Sequence, residues 1–448
     1  MKPSEVHKTI KRVMIGDGDS IIIDLERSHG VYLVDAVTGR EYLDFFSYFA
    51  SQPIGHNHPK MHEPEFLKEL SLVALHKPSL SDFYTTQMAK FVATFERVAM
   101  PESMKHLFLI SGGALAVENA LKTAFDWKFR RNLAAFQTYA GKKWDYSLEG
   151  RGTQIIHFEE AFHGRSGYTL SLTNTAVPQK HRHFPKFKWP RVINPKLHFP
   201  VTEEVLAEVK RAEEIAIAQI EAAVRRYPGD IAALIIEPIQ GEGGDNHFRM
   251  EFLRELRRLA DEHEFLFIVD EVQTGMGLTG KMWAIEHSGV LPDIIAFGKK
   301  SQVCGIIAGP RIDEVEDHVF VESSRLNSTW GGNLTDMVRA RRYLAIIEEE
   351  QLVENAARMG KRLLEGLQTI AAASDLISNA RGRGLMCAFD APDGETRTAL
   401  HETLKKNGLL TLTCGGRSIR FRPFLDVKGE QIDEALNILE DTANEMRR

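Results

Sequence analysis

Six short apolar runs, separated by turns and helical stretches, constrain the fold of this chain more than any other feature. The runs are apolar at successive positions, as expected of strands that are buried on both faces. Strands of this kind form a largely parallel sheet covered by helices. The runs read HLFLI (106–110), TQIIHF (153–158), IAALIIEP (231–238), FLFIVDE (265–271), DIIAF (293–297) and GIIAG (305–309). The sequence therefore predicts an α/β fold with a mostly parallel sheet.

The segments that flank these runs predict further elements. Residues 30–46 alternate apolar and polar side chains about a Thr38-Gly39 turn, which indicates a short antiparallel hairpin. Residues 202–227 have the apolar spacing of a helix that docks one face on the sheet.

The last hundred residues predict a smaller α+β unit. Its predicted elements are one long helix over 339–371, strands over 384–389 and 418–425, and a terminal helix over 428–447. We therefore expect an N-terminal arm and part of the small domain in 1–75, a large domain that contains the six apolar runs in 76–340 and a C-terminal small domain in 341–448.

Composition excludes several classes of protein. With 56 basic and 62 acidic residues the net charge is -6, so no general attraction to nucleic acid or anionic membranes is expected. Cys304, Cys387 and Cys414 stand singly, which argues against a disulfide framework or structural zinc. No signal-peptide core is seen, and no apolar run approaches the roughly 18 residues that span a bilayer. We expect a cytoplasmic protein of two or three domains.

The acidic end of FLFIVDE admits two interpretations. Four apolar residues before Asp-Glu also describe the magnesium-binding strand of a P-loop ATPase, and residues 275–282 (GMGLTGKM) resemble a phosphate-binding loop. However, Met282 stands where a metal-binding hydroxyl is required, and the loop follows the acidic strand instead of preceding it. These two departures disfavour an ATPase.

The alternative is a ligand held at the ends of the strands. Asp270 closes a buried strand at the edge where open α/β sheets bind ligands, and Gln273 could reach the same ligand. The turn at Gly113 and Ala114 leads from a strand into a helix, so its backbone N–H groups could hold a phosphate. Lys299 and Lys300 follow a third apolar run, and a lysine at this position either extends to solvent or is held as a neutral amine.

Together, a phosphate cradle, a carboxylate and a lysine fit pyridoxal 5'-phosphate. The lysine condenses with the aldehyde, and the carboxylate keeps the ring nitrogen protonated so that the ring can accept electrons. Phe162 could stack on the ring and Arg165 could bind an anion nearby. For an isolated Phe, ordinary core packing is the commoner explanation.

Along nearly its whole length the chain resembles the class III pyridoxal-phosphate aminotransferases of fold type I. The matching blocks are YLDFFSYFASQPIGHNHP, IIEPIQGEGG, FIVDEVQTGMGLTGKMWA, PDIIAFGKK and STWGGN. Four further blocks, AFHGRSGYTLSLTNT, AFGKKSQVCG, SRLNSTWGGNLTDMVRARR and RGRGLMCAF, are similar to the bacterial branch that passes the side-chain amine of L-lysine to 2-oxoglutarate. The resemblance implies an L-lysine 6-transaminase that works as a homodimer.

The resemblance also assigns roles to individual residues. It places the cofactor-binding lysine six residues after Asp293, at Lys299 and not Lys300. It implies that Thr329 reaches the phosphate of the neighbouring subunit's cofactor and that Asn327 contacts substrate. One departure is KSQVCG after Lys299, where most of the family has a glycine-rich stretch.

Three charged residues are implied to select the substrate. Arg420 matches the carboxylate-binding arginine of the class, and Arg165 would hold the distal carboxylate of either substrate. Glu242 lies between glycines that permit backbone adjustment. By resemblance it is a gate that pairs with Arg420 while lysine reacts and moves away for 2-oxoglutarate. Without the resemblance, a solvated loop acid would be the simpler interpretation.

Other functions stay open at this point. An ornithine or 4-aminobutyrate aminotransferase, or a class III isomerase or racemase, would use the same cofactor residues. A regulatory protein that has kept the fold is a non-enzymatic alternative, which the joint presence of Lys299, Asp270 and Arg420 disfavours. The histidine pairs at 56–58 and 181–183 lack a third ligand nearby, so no metal site is expected.

Overall fold

The computed structural model describes residues 1–76, 83–140 and 151–447, with backbone alone for 136–140. The helices are α1 (Val6–Ile10), α2 (Ser47–Ala50), α3 (Pro64–Ala74), α4 (Thr86–Ala99), α5 (Gly113–Ala140), α6 (Gly167–Leu172), α7 (Glu203–Arg226), α8 (Met250–Glu262), α9 (Leu334–Glu349), α10 (Leu352–Ala373), α11 (Gly394–Lys406) and α12 (Gly429–Met446).

The strands are short, as the sequence predicts. They are β1 (Tyr32–Val34), β2 (Glu41–Asp44), β3 (His106–Ile110), β4 (Gln154–Phe158), β5 (Arg191–Val192), β6 (Ile231–Ile236), β7 (Ile239–Gln240), β8 (Asn246–His247), β9 (Leu266–Asp270), β10 (Ile294–Phe297), β11 (Cys304–Ala308), β12 (Ser378–Arg383), β13 (Met386–Asp390), β14 (Leu409–Leu410), β15 (Leu412–Cys414) and β16 (Ser418–Phe421).

A seven-stranded sheet forms the centre of the large unit, in the order β3-β11-β10-β9-β6-β4-β5. All neighbouring strands are parallel except at β11, which runs antiparallel to both β10 and β3. Successive residues of β9 pack on opposite faces: Phe267 and Val269 join one apolar cluster, and Leu266 and Ile268 join another. Both faces are therefore buried, and the predicted mostly parallel, helix-covered sheet is confirmed.

A second core belongs to the smaller α+β unit. Its antiparallel sheet has the order β12-β13-β16-β15, and the predicted hairpin β1-β2 is extended by β14. Leu43 and Phe45 from the N-terminal segment pack in the same cluster as Phe389 and Phe421. This packing agrees with an N-terminal contribution to the small domain, while the boundaries at 75 and 340 stay predictions.

The long helix expected over 339–371 is wrong, because the chain forms two helices, α9 and α10. Gln351 has a left-handed backbone (φ 51°), which ends the first helix and redirects the second. Leu344 of α9 packs in the core of the large unit, whereas Ile347 of α9 and Leu363 of α10 pack in the small one. α9 therefore contributes to both cores, and the break directs α10 onto the small one.

A second departure is the segment called α2, which is a left-handed turn and not a regular helix. Its four residues, Ser47 to Ala50, have φ between 41° and 64°. Such a backbone costs roughly 1–2 kcal/mol for each residue other than glycine. Tertiary contacts from other parts of the chain must therefore stabilise this turn. Within the ranges given above, no helix combines the length and the apolarity needed to cross a membrane.

Candidate active site

A cavity of about 520 Å³ opens at the carboxyl ends of β9 and β10, where the turn into α5 also lies. It is lined by nine of the residues predicted from the sequence, namely Gly113, Ala114, Phe162, Arg165, Glu242, Asp270, Gln273, Lys299 and Arg420. Phe49, His163, Gly164, Lys180, Glu237 and Val272 complete the lining, and the sequence analysis did not single them out. We refer to this space as the central cavity.

Two predicted site residues lie elsewhere. Asn327 and Thr329 are exposed and do not line the central cavity. Thr329 is expected to act on a neighbouring subunit's site, so its distance from the cavity of its own chain is compatible with that role. Both roles stay predictions.

The start of α5 forms the expected cradle. Gly112 has φ 108°, a conformation that favours glycine, and the helix that follows runs 28 residues from Gly113. A Cβ atom on Gly113 would lie 2.9 Å from Cγ1 of Val272, so a side chain there would require movement. Gly113 and Ala114 line the cavity, and the backbone N–H groups at the start of a helix can bind a phosphate.

Asp270 is held in place by His163. Nδ1 of His163 donates to Oδ2 of Asp270 at 2.8 Å, and Oδ1 accepts from the backbone of Val272 at 3.1 Å. Asp270 is 4% exposed. Nε2 of His163 is buried and has no hydrogen-bond partner among the described residues. An oriented, desolvated carboxylate of this kind suits a protonated ring nitrogen.

Glu237 is a second buried acid that the sequence analysis missed. Its two oxygens accept from the backbone of Phe162 at 2.9 Å and of Gly241 at 3.0 Å. Burial raises the pKa of Glu237 to about 7. Glu237 therefore fixes the backbone that carries Phe162 on one side of the cavity and the loop with Glu242 on the other.

Of the two lysines after β10, Lys299 lines the central cavity and Lys300 does not. Lys299 has φ 53°, lines the central cavity and donates from Nζ to the carbonyl of Phe49 at 3.0 Å. Burial, with Arg420 and Arg422, lowers the pKa of Lys299 to about 8, so a sizeable neutral fraction exists near neutrality. This placement supports the choice of Lys299, whose catalytic role stays a prediction.

Lys300 does not line the central cavity and instead supports the backbone beside it. It is 2% exposed and donates from Nζ to the carbonyl of Ala50 at 2.7 Å. Burial lowers the pKa of its amine well below the ordinary value. Gln302 adds a bond from Nε2 to the carbonyl of Ser51 at 2.7 Å. Lys299, Lys300 and Gln302 therefore hold the left-handed turn that lies beside the cavity.

Glu242 and Arg420 form an ion pair in the cavity wall. Oε2 of Glu242 accepts from Nη2 of Arg420 at 2.8 Å, and Arg420 is 1% exposed. Burial opposes ionisation of Glu242, but Arg420 and Lys180 outweigh it and lower the pKa of this carboxyl below its ordinary value. Both partners are therefore charged at neutral pH.

Gln273 is tied to the arginines. Its Oε1 accepts from Nη1 of Arg420 and from Nη2 of Arg422, both at 3.0 Å. Arg422 also pairs with Asp245 at 2.6 Å, and both side chains of that pair are fully buried. Gln273 lines the cavity as expected, and its side-chain carbonyl orients Arg420. Its contact with the cofactor stays a prediction.

The glycines beside Glu242 allow a close approach of other groups to the backbone. A Cβ on Gly241 would lie 2.1 Å from Oε1 of Gln273, and one on Gly243 would lie 2.3 Å from the carbonyl of Glu160. A larger residue at either position would therefore disturb this packing. The backbone adjustment expected of this loop stays a prediction.

Arg165 lies at the exposed side of the cavity. Its guanidinium carbon is 6.0 Å from the ring centre of Phe162, and the residue is exposed while Phe162 is half-buried. Arg165 and Arg420 thus offer two positive charges, one exposed and one buried, in the lining of one space. A dicarboxylate can be held between such groups.

The arrangement fits pyridoxal 5'-phosphate. The start of α5 matches its phosphate, Asp270 its ring nitrogen and Lys299 its aldehyde. The buried Nε2 of His163 marks a polar region next to Asp270 that a ligand can complete. The residues present therefore fit the group that the sequence implied.

A separate cluster of His106, Asp313 and His318 brings three possible metal-binding atoms within 4.8 Å. Nδ1 of His318 accepts from the backbone of Phe320 at 3.2 Å, so the neutral ring carries its proton on Nε2, which faces Asp313 at 3.3 Å. A protonated Nε2 cannot bind a metal ion. We assign no metal to this cluster.

Comparison with known proteins places this site in a family context. The family model "Aminotransferase class-III" matches residues 14–443. The L-lysine-epsilon aminotransferase of Mycobacterium tuberculosis (strain ATCC 25618 / H37Rv) is 51% identical over 437 residues, which cover 97% of this chain and 94% of that protein. The L-lysine-epsilon aminotransferase of Streptomyces clavuligerus is 48% identical over 439 residues, with 97% and 93% covered.

Solved structures agree. A lysine aminotransferase from M. tuberculosis superposes with a TM-score of 0.94 at 50% identity, covering 99% of each chain. A more distant relative, the mitochondrial 4-aminobutyrate aminotransferase of Homo sapiens, is 32% identical over 451 residues, which cover 98% of this chain and 88% of that protein.

Proposed function

Because the chain belongs to the class III aminotransferases, which depend on pyridoxal 5'-phosphate, we propose that it transfers the side-chain amine of L-lysine to 2-oxoglutarate. The products are 2-aminoadipate 6-semialdehyde and L-glutamate. The observation that carries this proposal is the Glu242–Arg420 ion pair in the wall of the central cavity. It neutralises the carboxylate-binding arginine, as a donor without a carboxylate beside its reacting amine requires.

The chemistry divides between the cofactor and this chain. When bound, pyridoxal 5'-phosphate supplies an electron-accepting ring beside the reacting carbon. The start of α5 binds its phosphate, and Asp270, oriented by His163, holds a proton on the ring nitrogen. Lys299 takes a proton from the carbon that bears the reacting amine and would deliver it to the aldehyde carbon of the bound cofactor, which is the shift that moves the amine.

The two substrates use the arginines differently. The α-carboxylate of lysine is far from its side-chain amine, so Arg165 holds it at the exposed side while Glu242 covers Arg420. With 2-oxoglutarate, Glu242 leaves Arg420, whose guanidinium then binds the α-carboxylate in a bidentate manner. Arg165 holds the distal carboxylate in this second stage.

A donor assay tests the substrate. Purified holoenzyme is supplied with 2-oxoglutarate and with L-lysine, L-ornithine or 4-aminobutyrate, and glutamate is measured. We expect lysine to be the best donor and the reaction to stop without 2-oxoglutarate. A preference for ornithine or 4-aminobutyrate, or turnover without 2-oxoglutarate, would contradict the proposal in favour of another aminotransferase or an isomerase.

We also propose that the active unit is a cytoplasmic homodimer. Trp330, next to Thr329, is 52% exposed, which is unusual for so large an apolar side chain and agrees with a contact surface. In this arrangement Thr329 reaches the phosphate in the neighbouring site, and Asn327 of the same segment contacts the substrate. Sedimentation equilibrium of the holoenzyme tests the dimer, and a monomer that is fully active would contradict it.

Replacing Glu242 should impair the two half-reactions unequally. Glu242→Gln leaves Arg420 buried without its carboxylate, and losing one partner of such a pair costs about 2–5 kcal/mol. Because Glu242 is partly exposed, we take the lower end, roughly 30-fold in the rate with lysine. The half-reaction with L-glutamate should fall less, because there Glu242 has already moved away.

Single-turnover rates with each amino donor measure the difference. Glu213→Gln is the matched control, because Glu213 forms a similar pair with Arg249 at 2.8 Å outside the central cavity. An equal fall in both half-reactions would remove the gate hypothesis.

A further inference from the structure

Glu242 bridges two cations, and only one of them belongs to the gate described above. Its Oε2 contacts Nη2 of Arg420 at 2.8 Å, while its Oε1 contacts Nζ of Lys180 at 2.5 Å. Lys180 ends a short turn that begins at Pro178. Each carboxylate oxygen therefore has its own positive partner, and breaking one contact does not require breaking the other.

The burial of the three side chains differs. The side chain of Arg420 is 2% exposed and is further fixed by Gln273, whereas Glu242 is 21% and Lys180 25% exposed. Arg420 is therefore the more firmly held partner of Glu242. The Glu242–Lys180 pair lies at the more exposed side of the arrangement.

A second cavity lies on the other side of these charges. It has a volume of about 330 Å³ and shares Lys180, Glu242 and Arg420 with the central cavity. Its other walls include the apolar side chains of Ile23 and Leu412. The three charges thus separate two spaces, and the second space has room for a carboxylate that leaves Arg420.

A carboxylate that leaves Arg420 needs another cationic partner, because an unpaired charge in a partly buried site is unfavourable. The second cavity is also lined by Lys405, but that ammonium is already paired with Asp19 at 2.7 Å. Lys180 lines both spaces and already contacts the oxygen of Glu242 that Arg420 does not use. Lysine suits this task because its flexible stem lets the ammonium follow a moving partner.

We propose that Lys180 is a positioning residue that keeps Glu242 paired when Glu242 leaves Arg420, and so lowers the cost of opening the site to a second carboxylate. The inference rests on the proposed function, since it concerns the step that admits 2-oxoglutarate or L-glutamate. Lys180 acts through Glu242 and does not contact the substrate.

The test is the affinity of the holoenzyme for glutarate, a dicarboxylate that needs Arg420 but cannot react. Lys180→Met should weaken glutarate binding about tenfold, as expected for loss of a partly exposed ion pair with a favourable geometry. Isothermal titration measures it. Lys180→Arg should recover most of the affinity, and Lys180→Ala is an independent second removal of the charge.

The Glu242→Ala background separates the proposed role from direct contact. If Lys180 acts through Glu242, adding Lys180→Met to Glu242→Ala should leave glutarate affinity unchanged. A further tenfold loss in that background would show that Lys180 binds the ligand itself and would overturn the proposal, as would unchanged affinity in the single variant.

A matched lysine controls for the general effect of removing a charge. Lys196 pairs with Glu160 at 2.6 Å, is 29% exposed and does not line either cavity, so Lys196→Met should leave glutarate affinity as it is. Glutarate binding is measured without an amino donor, so its result does not depend on which amino donor the enzyme uses. A wild-type enzyme that fails to use lysine would overturn the proposed function, whereas the glutarate titrations decide the role of Lys180.

Discussion

Lys299→Ala is expected to lower turnover by roughly 10³-fold or more, the upper range for removal of a positioned acid–base group. The reason is geometric as well as chemical. Lys299 is the lysine after β10 that reaches the central cavity, and its lowered pKa of about 8 leaves part of the amine neutral at physiological pH. Steady-state assays with lysine and 2-oxoglutarate measure the loss.

Lys300→Met is the matched control. Lys300 is the next residue, yet it donates to the carbonyl of Ala50 and does not line the central cavity, so the variant should keep at least part of its activity. Borohydride reduction followed by peptide mapping should place the cofactor on Lys299. A label on Lys300 would show that the assignment of the two lysines is reversed.

Asp270→Asn is expected to slow the half-reaction with lysine by roughly 10²- to 10⁴-fold. The substitution keeps the shape of the side chain but removes a buried charge whose partner is then left uncompensated, which costs about 3–5 kcal/mol. It also replaces an acceptor of the 2.8 Å bond from His163. Stopped-flow measurement of a single turnover gives the rate.

Glu271→Gln is the control for Asp270. The two acids are adjacent and both are buried, but Glu271 bonds to Thr274 and to the backbone of Ile285 and does not line the cavity. We expect little change in rate from this variant. Comparable losses for the two substitutions would mean that the effect of Asp270→Asn reflects damage to the fold.

Much of the fold could be predicted because strands that are buried on both faces appear in the sequence as continuous apolar runs. Runs such as 265–269 are apolar at every position, and each of the six runs forms a strand of one sheet. The strand β12 was missed because its sequence, SNARGR, is polar. Its Arg381 is buried through an ion pair with Asp390 that no local pattern reveals.

The unusual backbone conformations could not be predicted from the sequence either. Gln351 and the residues from Ser47 to Ala50 adopt left-handed conformations without glycine, the residue that normally signals them. Tertiary hydrogen bonds hold the turn at Ser47 to Ala50, above all from Lys299 and Lys300. A prediction based on local sequence has no access to such contacts.

The candidate site likewise contains residues that the local sequence could identify and others that it could not. Residues at strand ends and in a glycine turn, such as Asp270 and Gly113, could be selected because the fold brings those positions together. His163, Glu237 and Lys180 act through neighbours that are distant in the chain. The adjacency of His163 to Phe162 was a weak signal, and nothing in its sequence context distinguished Lys180.

The carbon of lysine that loses its proton tests the central claim most directly. If Arg165 holds the α-carboxylate while Glu242 covers Arg420, C6 faces Lys299 and C2 does not. Lysine deuterated at C6 should therefore lose its label and show a slowed first half-reaction, whereas lysine deuterated at C2 should keep its label throughout. Loss of label from C2 alone would mean that Arg420 binds the α-carboxylate of lysine directly, and would contradict the account.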